Sequence, residues 1–350
     1  MKLMEDYTLE KIRFGDKHAM SEVDDLLRKE KIKRDPHLDY IIGLYDRAER
    51  LAATGACFAN TLRCLAVDSR HQGEGLLNHV VSHLIEHQFQ QGNVHLFLYT
   101  KVDKSQFFRD LGFYEIARVA GEAIFMENQK RGFSSFLEEL ALHKKTGSAA
   151  ALVMNCNPFT LGHRYLVEQA AAQNDVAHLF VVSEDASLFP FADRYALIKA
   201  GCADLPNVIL HETRSYMVSN AVFPSYFLQD EEAAIRTQAR LDLALFMQIA
   251  PVLGITRRYI GEEPFSKVTG IYNEIMIDGL AESDIECVVV PRKEAEGEPI
   301  SASRVRQLIQ ADQWNKIQSF VPQSTLDYFK TDAGQETVRR ICASSSVLHY

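Results

Sequence analysis

The chain has 350 residues, of which 47% are hydrophobic and 24% charged, the balance of a folded two-domain protein rather than a disordered one. A formal net charge of −9 argues against a nucleic-acid-binding protein, which carries a basic domain, but it leaves room for a local cationic pocket. No apolar run reaches the length of a membrane span, and the opening MKLMEDYTLEKIRFGDK lacks the apolar core of a signal peptide. The cysteines at 57, 64, 156, 202, 287 and 342 form no CxxC pair or metal-ligand spacing, so reduced thiols and a cytoplasmic location are expected.

In chain order, residues 1–126 read as a first domain. Apolar runs at 38–44, 61–67 and 94–99 have strand composition. Between the last two, Leu77, Val80, Val81, Leu84 and Ile85 recur at helical spacing. A charged connector, 127–148, contains Leu137, Leu140 and Ala141 and reads as a linker helix. From 149 to 330 strands alternate with helices. The strands fall at 150–155, 178–183, 207–212, 257–262 and 286–291, the helices at 163–172, 192–201, 233–250 and 303–311. That alternation predicts a Rossmann-like, doubly wound parallel sheet, so the chain is α/β as a whole. The remaining residues, 331–350, are polar and weakly patterned and read as a peripheral tail.

The first strand of the second domain runs into Asn155-Cys156-Asn157-Pro158-Phe159-Thr160-Leu161-Gly162-His163. A helix beginning there offers free N–H groups and a positive dipole end to phosphate. Gly162 lets backbone come close to a ligand, and His163 can donate where negative charge builds. The plainer reading makes Thr160 an N-cap and His163 a first-turn residue without chemistry. Further along, Pro299-Ile300-Ser301-Ala302-Ser303-Arg304-Val305-Arg306 opens a second amphipathic helix. Its two hydroxyls and arginines form another anion site, unless Ser301 merely caps and the arginines face solvent. Cys156 reads as small packing.

Together, Thr160-x-Gly162-His163 and the later Ile300-Ser301-x-Ser303-x-x-Arg306 resemble the nucleotidyltransferase superfamily, with Thr160 standing where many members carry a first histidine. The resemblance narrows through Val153–Ala170, Ser183-Glu184-Asp185-Ala186-Ser187, Ala203–Val208, Gly261-Glu262-Glu263-Pro264-Phe265 and Pro299–Ser303. These look like the citrate lyase ligase family over nearly the whole chain to about residue 330. In the first domain, Arg70-x-x-Gly73-x-Gly75 and Phe107–Tyr114 resemble the pyrophosphate loop and the helix-strand signature of the GCN5-related N-acetyltransferases. That resemblance implies an α+β fold of that type, which either binds a coenzyme-A-like arm through Arg70, Gly73 and Gly75 or retains the fold and binds nothing.

What the family resemblance implies is an ATP-dependent enzyme that activates acetate as acetyl-adenylate. It would pass the acetyl group to a dephospho-coenzyme-A-derived thiol on the acyl carrier subunit of citrate lyase. ATP is the expected nucleotide, with Mg²⁺ inferred from ATP chemistry and no dedicated metal site; no nucleic acid or membrane partner is expected. His163, Thr160, Ser301, Ser303 and Arg306 are the expected catalytic residues. Asn155, Asn157, Pro158, Phe159, Gly162, Arg194, Gly261, Glu262, Pro264, Ile300 and Arg304 are expected around the nucleotide. Gly261 to Pro264 serve equally well as a polar turn, whereas Asp185 and Lys199 are weaker candidates that read first as solvated charges. The alternatives are an adenylyltransferase with a phosphate acceptor, an acetyltransferase using acetyl-CoA, and a nucleotide-binding regulator.

Overall fold

The computed structural model describes residues 6–217, 223–228, 230–263, 266–295 and 297–344. The chain folds as two compact units, one of residues 1–135 with 224–244, the other of residues 136–223 with 245–350. Residues 224–244, which fall in the second domain by sequence order, thus group with the first.

In the first unit, strand β1 (Tyr7–Ile12) leads into helix α1 (Lys17–Lys29), whose N-cap Asp16 accepts from the His18 and Ala19 N–H groups. Strands β2 (Tyr40–Asp46), β3 (Leu51–Phe58) and β4 (Thr61–Val67) form an antiparallel meander. Helix α2 (Leu76–Gln90) and strand β5 (Phe97–Thr100) follow, then α3 (Ser105–Asp110), β6 (Tyr114–Val119) and β7 (Ala123–Glu127). The sheet order is β1-β2-β3-β4-β5-β7-β6, antiparallel except for β4 and β5, which pair in parallel at Thr61–Phe97 and Leu62–Leu98. The helix-spaced Val80, Val81 and Leu84 of α2 are buried with Leu62, Leu98 and Phe113. Helix α4 (Gly132–Ala141) lies inside the charged connector.

The second unit is built on β8 (Ala149–Met154), α5 (Leu161–Gln173), β9 (Val176–Val181), α6 (Phe191–Gly201) and β10 (Val208–Glu212). Helix α7 (Glu231–Leu253), whose residues up to Ala244 group with the first unit, precedes β11 (Ile255–Gly261), α8 (Lys267–Ala281) and β12 (Glu286–Val290). A two-residue hairpin, β13 (Glu294–Ala295) and β14 (Glu298–Pro299), then turns the chain into α9 (Ala302–Gln310). The five long strands are parallel, in the order β10-β9-β8-β11-β12. They are rich in Ala, Leu, Ile and Val because both faces of a parallel sheet are covered. The order places the first and fourth strands side by side, and the crevice at their carboxyl ends is where open α/β sheets bind ligands.

Short helices α10 (Trp314–Ile317) and α11 (Gln323–Tyr328) are followed by α12 (Asp332–Ala343). The expected tail is therefore helical over its described part, and Ile341 joins the core with Leu308, Ile309 and Phe329. Thr331 caps α12 by accepting the Gly334 N–H. Among the described residues no helix is long and apolar enough to cross a membrane.

Candidate active site

A cleft of about 920 Å³ opens at the carboxyl ends of β8, β11 and β12. Its first wall is the turn from β8 into α5. There Thr160 is the N-cap, its Oγ1 accepting the His163 N–H at 3.3 Å, while His163 Nδ1 accepts the Thr160 N–H at 3.1 Å. This reciprocal capping fixes the imidazole tautomer. Nδ1 faces an obligate donor, so the ring proton sits on Nε2. Burial, followed by the nearby Arg292 and Arg306 cations, pushes the His163 pKa down to about 4. At neutral pH the site therefore holds an uncharged imidazole with an N–H to donate.

The second wall is the N-terminus of α9. Ser301 is its N-cap, accepting the Arg304 N–H at 3.1 Å, and its hydroxyl lies 3.3 Å from that of Ser303. The two walls touch. A β-carbon on Gly162 would sit 3.0 Å from the Ile300 carbonyl oxygen and 3.4 Å from the Ile300 side chain. Glycine at 162 is thus what lets the two helix N-termini share one cleft.

Four further contacts hold the loop between β8 and α5. The Leu161 N–H donates to the Phe320 carbonyl at 2.9 Å, and Thr325 Oγ1 donates to the Phe159 carbonyl at 3.0 Å. Arg306, only 3% exposed, donates to the Asn157 carbonyl. The fourth is Arg194, which is completely buried. Its guanidinium donates to the carbonyls of Phe189, Asn155, Val182 and Glu184 and to the Asn155 side chain. Every one of those acceptors is neutral, and burial holds the Arg194 pKa below its ordinary value.

The structure brings Asn155, Asn157, Thr160, Gly162, His163, Gly261, Glu262, Ile300, Ser301, Ser303, Arg304 and Arg306 to the cleft. It does not bring Pro158, Phe159 or Arg194 there. Phe159 is core, packed so closely on Gly201 that a β-carbon there would meet its ring at 2.5 Å. A basic residue opening a helix, as Arg194 does, is expected near phosphate. Its donors are instead spent on main-chain carbonyls, so it is a clamp on the loop. Pro264 lies outside the described residues. Cys156 is buried, and burial pushes its thiol well above the ordinary value, which suits packing and not nucleophilic work. Arg304 forks onto Glu298, with Nε to Oε2 at 2.8 Å.

Among the cleft groups that sequence reasoning missed are Arg258 of β11, Arg292 and Lys293, just past β12, and Asn273 of α8, which donates to the Gly261 carbonyl at 2.8 Å. Arg292 is paired with Glu263. A Pro-Arg-Lys triplet after a strand carries the signature of a solvated turn, and only the hairpin that follows turns it inward. Among the described residues no group of three or more His, Cys, Asp or Glu is placed to hold a metal ion.

In the first unit, Gly73 (φ 88°) and Gly75 (φ 74°) lie in the left-handed region, and an added β-carbon at either would meet nothing within 4 Å. Gly75 begins α2 with no side-chain cap. Arg70 is held by Asp68, with Nε to Oδ1 and Nη2 to Oδ2 both at 2.9 Å.

Residues 149–329 match the family model described as the citrate lyase ligase C-terminal domain. The chain is 38% identical over 327 residues to a [Citrate [pro-3S]-lyase] ligase of Klebsiella pneumoniae, covering 92% of this chain and 95% of the relative. The chain belongs to the citrate lyase ligase family. An Escherichia coli (strain K12) protein of the same name is 36% identical, over 91% of this chain and 93% of its own. Family membership thus extends across both units. Among solved structures, an acyl-CoA N-acyltransferase from Pseudomonas aeruginosa is similar at 13% identity and a TM-score of 0.31, covering 35% of this chain and 99% of that one.

Proposed function

We propose that the chain is an ATP-dependent ligase that acts on citrate lyase. In this reading it activates acetate as acetyl-adenylate in the cleft of the second unit. It then passes the acetyl group to the thiol of the prosthetic arm on the acyl carrier subunit, releasing AMP and pyrophosphate. Membership of a family whose relatives carry the name citrate lyase ligase supports the substrate. The observation that carries the nucleotide chemistry is the meeting of two helix N-termini at one cleft, with His163 on one and Ser301 and Ser303 on the other.

The chemistry runs in two displacements. An acetate oxygen attacks the α-phosphorus of ATP, the bond to the β-phosphate oxygen breaks, and pyrophosphate leaves. The carrier thiolate then attacks the acetyl carbonyl, and AMP leaves. The protein positions the reactants and stabilises spreading negative charge. His163 Nε2–H donates to the α-phosphate. The Ser301 and Ser303 hydroxyls and the N-terminus of α9 receive the departing phosphates, and Arg306 contributes its charge while anchoring the Asn157 carbonyl. The nucleophile belongs to the carrier, so no enzyme thiol takes part. Magnesium would arrive bound to the triphosphate, and no step above is routed through it.

For the first unit the reading is that Arg70, Gly73 and Gly75 bind the coenzyme-A-like arm. Both glycines are left-handed and the space beside them is open, which supports a turn that a pyrophosphate can approach. The cytoplasm, which supplies ATP, is the compartment this reading assigns. The test is recovery of enzyme activity by deacetylated citrate lyase incubated with the chain, ATP and acetate. Recovery that needs all three components supports the reading; recovery without ATP overturns it.

A further inference from the structure

The cleft of the second unit is lined by cations of unequal commitment. Arg292 is paired with Glu263 and Arg304 with Glu298. Arg306 donates to the Asn157 carbonyl, and Arg258 is buried against the Phe246 ring. Lys293 differs from all of them. It is exposed, and among the described residues its ammonium makes no ion pair; it rests over the Tyr165 ring, 5.4 Å from the centroid. Two features set that position. The hairpin of β13 and β14 closes with the Ile300 N–H donating to the Lys293 carbonyl at 3.0 Å, which brings Lys293 beside the Ser301 N-cap. Tyr165 stands on α5, the helix that His163 helps to cap, and Tyr165, His163, Lys293 and Ser301 all line the one cleft.

We propose that Lys293 is a catalytic residue, whose ammonium leaves the Tyr165 face to hold the β- and γ-phosphates of ATP and to follow them as they depart. This rests on the adenylation reading given above. As the acetate oxygen bonds to the α-phosphorus, the electron pair of the breaking bond moves to the pyrophosphate oxygen. Lys293 meets that charge with N–H donors and gives up no proton. An ammonium on a four-carbon stem is a point charge able to track a moving group, which a guanidinium locked in a fork is not. Its hold on the half-buried Tyr165 ring is a single cation–π contact with no ion pair behind it, readily exchanged for a phosphate.

The test compares the full-length wild type with Lys293→Met and Lys293→Arg. Titration calorimetry reads the affinity for ATP and for AMP, and acetate-dependent exchange of labelled pyrophosphate into ATP reads the chemistry. Lys293→Met is expected to weaken ATP by about tenfold, leave AMP unchanged and slow exchange by about 100-fold, with Lys293→Arg regaining most of the ATP affinity and little of the exchange rate. The thermal midpoint should not move, because among the described residues the ammonium makes no ion pair or hydrogen bond, only the contact with the Tyr165 ring. Unchanged ATP affinity in Lys293→Met overturns the proposal. A wild type that binds ATP yet exchanges no pyrophosphate overturns the adenylation reading instead, and the ATP-to-AMP comparison then still decides Lys293.

Discussion

The Thr160 N–H donates to His163 Nδ1 at 3.1 Å, and in return Thr160 Oγ1 accepts the His163 N–H. The bond that caps the helix is therefore also the one that sets the Nε2–H tautomer. Protonating Nδ1 would break it, and burial together with the Arg292 and Arg306 cations already pushes the His163 pKa down to about 4. By NMR, the imidazole should keep the neutral Nε2–H form from pH 8 down to pH 5. Arg292→Met removes one cation and should raise the transition; an imidazole titrating near the unperturbed 6.5 in the wild type contradicts this account.

His163→Ala removes the donor and should lower kcat by about 100-fold, the scale of losing one oxyanion-type hydrogen bond. A rate within about threefold of wild type would show that His163 does no more than cap its helix.

Gly162 is the point where the two motifs meet. Gly162→Ala gains about 1 kcal/mol of helix propensity, but its methyl is set 3.0 Å from the Ile300 carbonyl oxygen. Overpacking of this kind costs about 1–3 kcal/mol. Stability should therefore change little, while the KM for ATP rises as the α5 and α9 termini are pushed apart. Unchanged KM and kcat would mean that the cleft tolerates a wider spacing.

Arg194 offers a contrast between clamp and ligand. Removing its buried guanidinium leaves the carbonyls of Asn155, Val182, Glu184 and Phe189 without their donor, at a cost of roughly 1–3 kcal/mol for each buried group left unsatisfied. Arg194→Met should lower the thermal midpoint strongly, and Arg194→Lys should not restore it, because an ammonium cannot reach that spread of acceptors. A variant with wild-type stability and a raised KM for ATP would return Arg194 to the phosphate role.

His178 and His211 form a buried pair, Nδ1 to Nε2 at 2.9 Å. Burial pushes them down to about 4 and about 3, with His143 adding to both and His178 to His211. Below pH 6.5 the unfolded chain takes up protons that the folded pair refuses. Stability is thus full above that value and falls as the pH drops toward 4. Urea unfolding across that window should show a shallower fall in His178→Asn than in the wild type; equal slopes would mean that other groups govern acid stability.

The strands of the second unit are legible in the sequence because β8 to β12 are short apolar runs between polar punctuation, and α5 because its cap and glycine are written together. Helices α8 and α12 are not, nor are the short α10 and α11. Helix α8 carries Gly270, Gly279 and several β-branched residues, and is announced only by its Ser266 cap. Helix α12 buries Gly334 and Thr337 beside Ile341, too sparse an apolar stripe to register against its charged face. In the site, the capping pattern marks His163 and Ser301, since spacing along one chain encodes a local hydrogen bond. Arg194 is misplaced and Lys293 missed because burial and a hairpin's turn depend on distant residues. One arginine opening a helix reads the same whether it faces phosphate or four carbonyls.

The most direct test of the central claim is nucleotide product analysis with ATP, acetate and deacetylated citrate lyase, each omitted in turn. Acetyl transfer through an adenylate predicts AMP and pyrophosphate in equal amounts, formed only when acetate is present and in step with recovered lyase activity. Pyrophosphate without AMP, or lyase recovery with no ATP consumed, would contradict it.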